Sequence, residues 1–251
     1  MTPPSSCPPR LVGIGVGPGD PELVTVKGVR LLREADRVVV PVMDGAGPGR
    51  AEATVRAYVA DERIVRAGFA LDDRDGLTPR REQAWDAAAR LVLDVFAAGA
   101  ATVAFATIGD PNVYSTFTYI AATVADLLPE VEITTVPGIT AMQDLAARSS
   151  TVLCEGREPL TLIPITAGLE AFEAALAGPG TVVAYKGWRR HEQVLAALDR
   201  HGRRADAVVG SGLGLPGERI VRATDDTAAE SIPYLSTVLV PARRVRRGGK
   251  L

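Results

Sequence analysis

The sequence predicts an α/β protein of two domains, and three features of the chain predict it. Short apolar runs alternate with helix-periodic segments along almost the whole length, glycine-bearing turns close three of the early runs, and the alternation breaks near Arg157 and starts again. With 251 residues, 47% of them hydrophobic and 23% charged, the chain carries enough apolar side chain to bury a core in each half.

Leu11 to Ile14 is a strand that breaks into Gly15-Val16-Gly17-Pro18-Gly19-Asp20, and Glu22 to Glu34 then has the spacing of an amphipathic helix. Val38 to Val42 reads as a second strand, followed by the Gly45 to Gly49 loop, a helix near Glu52 to Val59 and a strand near Arg63 to Val65. Thr78 to Ala98 carries the longest helical pattern, and Gly99 stops it. Ala101 to Ala106 is the strand after it, ending in Thr107-Ile108-Gly109-Asp110-Pro111, and Tyr114 to Leu127 is the next helix. Val131 to Thr135 leads into Pro137-Gly138-Ile139-Thr140, a third strand-to-helix turn.

Beyond Thr151 to Gly156, strands at Leu160 to Pro164, Thr181 to Tyr185 and Ala207 to Val209 alternate with helices at Leu169 to Leu176 and His191 to Asp199. Arg219 to Arg222 and Tyr234 to Val240 close the chain as strands separated by a helical turn, which makes the second sheet mixed. The expected layout is a Pro- and Ser-rich disordered leader over 1–10, an N-terminal α/β domain over 11–156, a C-terminal α/β domain over 157–242 and a solvated basic tail over 243–251.

Charge and cysteine content exclude several function classes. A net charge of -2 leaves no basic field for a phosphate backbone, so no nucleic-acid partner is expected. No run approaches the ~18 apolar residues of a membrane span and the leader has no apolar core, so a cytoplasmic protein is expected. Cys7 and Cys154 lie far apart, outside any CxxC or Cys/His spacing, so neither a metal site nor a redox pair is expected.

The Gly13-x-Gly15-x-Gly17 run after a first strand invites a dinucleotide-binding reading, since glycines let backbone approach a pyrophosphate at a helix N-terminus. Pro18 removes a donor from that loop, and Asp20 puts negative charge where the pyrophosphate would sit. The plainer alternative is a turn whose glycines serve only tight packing.

Taken together, Gly13-Ile14-Gly15-Val16-Gly17-Pro18-Gly19-Asp20, Gly109-Asp110-Pro111-Asn112-Val113-Tyr114, Val136-Pro137-Gly138-Ile139-Thr140-Ala141 and Pro216-Gly217-Glu218-Arg219 resemble, in order and spacing, the class III tetrapyrrole methyltransferases. The resemblance covers nearly Leu11 to Ala242, and it implies two α/β domains with the active site in the cleft between them, S-adenosylmethionine as cofactor, a tetrapyrrole substrate and a homodimer. Tyr114-Ser115-Thr116-Phe117, with Glu155-Gly156 and Pro233-Tyr234-Leu235-Ser236, resembles the precorrin-2 C(20)-methyltransferase branch in particular, implying methylation of a precorrin at C20 in cobalamin synthesis. Val40-Pro41 departs from the uroporphyrinogen methyltransferases, which carry an aspartate there. Phe69-Ala70-Leu71 and Trp188-Arg189-Arg190 depart from the C20 branch itself.

By that resemblance the cofactor contacts are Pro18, Ile108, Gly109, Asp110, Val113, Thr140 and Ala141, with Lys186 and Gly212 from the second half. Asp110 either opposes the cationic end of the cofactor or caps the helix at Tyr114. Tyr114 is the candidate for orienting the macrocycle, against packing at the helix start. A precorrin carries many carboxylates, so scattered guanidinium forks are expected around it, and Arg148, Arg189 and Arg190 are the candidates, with Lys186 beside them. Trp188 either covers a macrocycle face or packs in a core, and His191 and His201 belong to a surface helix.

Overall fold

The computed structural model describes residues 8–43, 47–70, 73, 77–187, 190–225 and 236–244. They form two compact units, Met1–Thr140 and Ala141–Leu251.

The first unit alternates strand and helix: β1 (Arg10–Gly15), α1 (Val26–Glu34), β2 (Arg37–Met43), α2 (Arg50–Val55), β3 (Ile64–Phe69), α3 (Pro79–Ala97), β4 (Thr102–Thr107), α4 (Phe117–Leu127) and β5 (Glu132–Val136). The sheet order is β3-β2-β4-β1-β5, with every pairing parallel. A parallel sheet is covered on both faces, which is why its strands read as unbroken apolar runs. Val12, Ile14, Val38, Val40, Ala104 and Ala106 pack on one side with Leu32 of α1 and Val55 of α2. Leu11, Val39, Val103 and Phe105 point the other way, onto Val92 of α3 and Phe117 and Ile120 of α4. The chain crosses from β1 past β4 to reach β2, so the carboxyl ends of β4, β1 and β5 lie side by side where the winding reverses. In open α/β sheets that is where ligands bind.

The second unit holds α5 (Ala141–Arg148), β6 (Leu160–Pro164), α6 (Leu169–Leu176), β7 (Thr181–Tyr185), α7 (His191–Arg200), β8 (Val208–Ser211), β9 (Arg219–Arg222) and β10 (Ser236–Val240). Its sheet, ordered β6-β7-β10-β8-β9, is mixed as expected: β6 and β7 are parallel, and the other pairs are antiparallel. Phe172 of α6 and Val194 and Leu198 of α7 cover one face. Leu145 and Ala146 of α5 cover Val183, Val208 and Leu239 on the other.

Local chemistry moves several boundaries from where the sequence puts them. The units divide after Thr140 and not at Arg157, because α5 packs its apolar face on the second sheet. The helix expected from Glu22 is two pieces, a single turn at Pro21–Leu23 capped by Asp20 and then α1, capped by Thr25. Tyr114 has φ 52, which no helical residue adopts, so α4 starts only at Phe117, with Ser115 Oγ accepting from the Phe117 N–H at 3.1 Å. The leader is shorter than expected: Arg10 already pairs in β1 and salt-bridges Glu132 at 3.2 Å. Of the expected tail, residues 243 and 244 are described: Arg244 bonds Glu158 and the Val152 carbonyl, and the exposed Arg243 bonds the Gly202 carbonyl. The turn expected between β9 and β10, Pro233 to Leu235, Gly45 and Leu71 lie outside the described residues.

Candidate functional site

The three glycine loops of the first unit meet backbone to backbone beyond β1, β4 and β5. The Gly109 N–H donates to the Gly17 carbonyl at 2.8 Å. A Cβ on Gly15 would stand 2.5 Å from the Gly109 oxygen and 2.6 Å from the Gly138 nitrogen, and one on Gly138 would stand 2.0 Å from the Gly109 oxygen. Neither position admits a side chain of any size. Gly13 is excluded for another reason, since its Cβ would lie 2.4 Å from the Phe117 ring. Gly13 and Gly15 thus serve close packing, as the plainer reading of the first loop has it, and Gly138 does the same in the third.

Asp110 joins the second loop to the third. Its Oδ1 accepts from the Asn112 N–H at 2.8 Å and its Oδ2 from the Gly138 N–H at 3.0 Å, and the residue is buried. Of the two roles expected for it, capping at Tyr114 is not what it does: it closes its own turn and staples the next loop. The hydrogen-bond partners of its carboxylate among the described residues are backbone N–H groups.

Gly109 differs from its neighbours. It sits at φ 70, and a Cβ there would meet only the Thr140 Cα, at 4.0 Å. Unlike Gly15 and Gly138, it leaves room for a Cβ. Ile108 and Val113 flank it half-buried, Thr140 is buried, and Pro18 is buried in the first loop. That loop is fixed from behind by α2 and the turn after it, the Thr54 hydroxyl donating to the Gly19 carbonyl at 3.0 Å and the Tyr58 hydroxyl to the Pro21 carbonyl at 2.6 Å.

In the Tyr-Ser-Thr-Phe segment the residues divide by role. Ser115 donates to Thr107 Oγ1 at 3.1 Å and Phe117 fills the core, whereas Tyr114 keeps 45% of its surface exposed in a left-handed conformation. Holding a bulky residue at positive φ costs ~1–3 kcal/mol and is tolerated where the position matters. The desolvation of its enclosed part pushes the phenol pKa above its ordinary value.

The dinucleotide alternative loses its geometry. The helix after the loop begins at Val26 with Thr25 Oγ1 accepting from Gly28, and Asp20 caps the intervening turn by accepting from the Glu22 N–H at 2.9 Å. The glycines are followed directly by a single 3-10 turn at Pro21–Leu23 and not by the N-terminus of an α-helix.

In the second unit Ala141 opens α5, Lys186 follows β7 at φ 60, and Gly212 follows β8 at φ 60. Arg148, expected as a substrate contact, is already engaged: it forks onto Glu218, one arm at 2.6 Å, with Asp144 at 3.7 Å. Arg190 is exposed at the head of α7, while Trp188 and Arg189 lie outside the described residues. His191 opens α7, and His201, just past its end, faces Glu173 at 3.8 Å. Sequence reasoning missed Tyr185, whose hydroxyl accepts from the Met142 N–H at 3.0 Å in the first turn of α5, and nothing local in the chain signals it.

Residues 10–229 match the family described as tetrapyrrole (corrin/porphyrin) methylases. A cobalt-precorrin-2 C(20)-methyltransferase of Salmonella typhimurium is 30% identical over 92% of this chain and 95% of its own length. A precorrin-2 C(20)-methyltransferase of Sinorhizobium is 31% identical over 94% and 97%. Among solved structures, a cobalt precorrin-4 methyltransferase superposes with a TM-score of 0.67 at 22% identity, covering 92% of this chain and 94% of that one, a likeness of fold.

Proposed function

This chain belongs to the tetrapyrrole (corrin/porphyrin) methylases, and we propose that it is an S-adenosylmethionine-dependent methyltransferase that converts precorrin-2 to precorrin-3A by methylation at C20 in cobalamin synthesis. The observation that carries this reading is the match, along nearly the full length of both chains, to two proteins named for that reaction. One name specifies the cobalt-containing substrate and the other does not, so both forms belong in the test.

The residues at the carboxyl ends of β4, β1 and β5 fit the cofactor. A flat adenine with hydrogen-bonding edges needs small residues at strand ends, and the open position at Gly109 offers one. We assign the cofactor contacts to Pro18, Ile108, Gly109, Asp110, Val113 and Thr140 in the first unit and to Ala141, Lys186 and Gly212 in the second. When bound, S-adenosylmethionine supplies a methyl group activated by its sulfonium. The protein's share is alignment, because in-line displacement at that methyl depends on holding the two partners in register and not on a strong base. The Asp110 carboxylate is assigned to the cationic end of the cofactor, and the Tyr114 phenol is assigned to orienting the macrocycle. Arg189 and Arg190 are assigned to its carboxylates. The assembly is proposed as a cytoplasmic homodimer, to be checked by light scattering.

The deciding experiment incubates the protein with methyl-labelled S-adenosylmethionine and either precorrin-2 or cobalt-precorrin-2, and locates the label by NMR. Label at C20 is the expected result. Label at another carbon overturns the position, and no label in any tetrapyrrole overturns the activity.

A further inference from the structure

Glu218 and Arg148 lie outside every contact assigned above, yet they connect the two second-unit elements that carry Ala141 and Gly212. Glu218 belongs to the Pro216-Gly217-Glu218-Arg219 motif, just before β9. Its Oε2 accepts from the Gly214 N–H at 2.9 Å, across a turn also closed by Leu215 N–H to the Gly212 carbonyl at 3.0 Å. The same carboxylate takes both arms of the Arg148 guanidinium, at the last residue of α5. Arg148 is itself oriented by Asp144 one helical turn earlier. At the other end of α5, Tyr185 holds the Met142 N–H. The helix is thereby tied at both ends to the second sheet and its loops, with Leu145 pressed so closely on β8 that a Cβ on Gly210 would come within 2.7 Å of it.

We infer that Arg148 and Glu218 form a positioning clamp, which sets the Gly212 loop against α5 and so fixes Ala141 and Gly212 relative to one another for cofactor binding. The inference rests on the cofactor reading above. Two arguments distinguish it from an ordinary surface ion pair. A forked guanidinium–carboxylate pair fixes orientation as well as distance. The carboxylate also has a second duty to a backbone N–H in a loop whose Gly212, Gly214 and Gly217 all stand at positive φ. It also reassigns Arg148: a guanidinium whose fork is filled by Glu218 serves geometry and not substrate.

The test measures S-adenosylhomocysteine affinity by calorimetry, well below the melting temperature, for the wild type, Glu218→Gln, Arg148→Met, the double variant and Tyr185→Phe. Glu218→Gln keeps an acceptor for Gly214 but loses the fork, and Arg148→Met keeps the aliphatic stem. Each is expected to weaken binding about five- to tenfold, the double variant no further than the weaker single one, and Tyr185→Phe about threefold. The KM for the tetrapyrrole should stay within twofold. Melting temperatures that fall while cofactor affinity holds would make the pair merely structural and overturn the clamp. So would additive losses, or a rise confined to the tetrapyrrole KM in Arg148→Met, which would restore Arg148 to the substrate. If the wild type itself fails to bind S-adenosylhomocysteine, the cofactor reading falls and the clamp with it, a result no variant can mimic.

Discussion

The two units hold glycine-bearing loops at the ends of their strands by different means. In the first, loop lies directly on loop: Gly15, Gly109 and Gly138 touch through backbone, and the Asp110 carboxylate reaches across to the third loop. In the second, side chains span the gaps, with Tyr185 at one end of α5 and Arg148 and Glu218 at the other. Backbone contact is rigid and intolerant, because peptide groups cannot rotate away from an added atom. Side-chain clamps are adjustable and fail by degrees.

That difference predicts unequal losses for the same substitution. Gly138→Ala drives a Cβ to 2.0 Å from the Gly109 oxygen, with the Gly15 Cα at 2.7 Å, and nothing there can yield. We expect a loss of about 3 kcal/mol or more in denaturant unfolding, at or beyond the upper end of ordinary overpacking. Gly210→Ala meets the Leu145 Cδ1 at 2.7 Å, the far end of a side chain that can change rotamer, and should cost about 1 kcal/mol. Equal costs would dissolve the contrast between the units.

Between these extremes fall two substitutions at the centre of the first unit. Gly109→Val places a branched side chain at φ 70 and fills the open face, so S-adenosylhomocysteine affinity should fall more than tenfold while circular dichroism still shows a folded protein. Asp110→Asn keeps the shape but turns one of two acceptors into a donor facing an N–H. A stability loss of about 2 kcal/mol is expected on thermal unfolding, since the bonds of Asp110 to Asn112 and Gly138 are charge-assisted. A silent Asp110→Asn would mean that the third loop holds itself.

Much of this was legible in the chain because it is local. Strand runs, the long helix α3 between Thr78 and Gly99, and the order of the glycine loops follow from periodicity and from what glycine permits. What the chain does not display is tertiary. The start of α4 depends on Tyr114 being held at positive φ, which no propensity anticipates. The allegiance of α5 depends on which sheet Leu145 finds, and the partner of Arg148 lies 70 residues further on. The glycines were visible, but which serve packing and which leave an open face was not, since that distinction is set by loops brought together from three strand ends.

The smallest effect is expected at Asp20, where the first loop's own chemistry is tested alone. If the glycine loop were a pyrophosphate site, neutralising a carboxylate beside it should strengthen binding of an anionic dinucleotide. In the structure Asp20 does something else: it caps the Pro21–Leu23 turn through the Glu22 N–H, a duty that the asparagine carbonyl performs nearly as well. Asp20→Asn should therefore change stability by no more than a few tenths of a kcal/mol, since Asn and Asp rank alike as caps. S-adenosylhomocysteine affinity should move less than twofold, because the open face at Gly109 belongs to the second loop, which meets the first through the backbone of Gly15 and Gly17. Calorimetry with S-adenosylhomocysteine and NAD side by side reads both expectations at once. NAD bound more tightly by Asp20→Asn than by the wild type would place an anion site in the first loop after all, and the loops beyond β1, β4 and β5 would then have to be read as a packing junction that carries no ligand at Gly109.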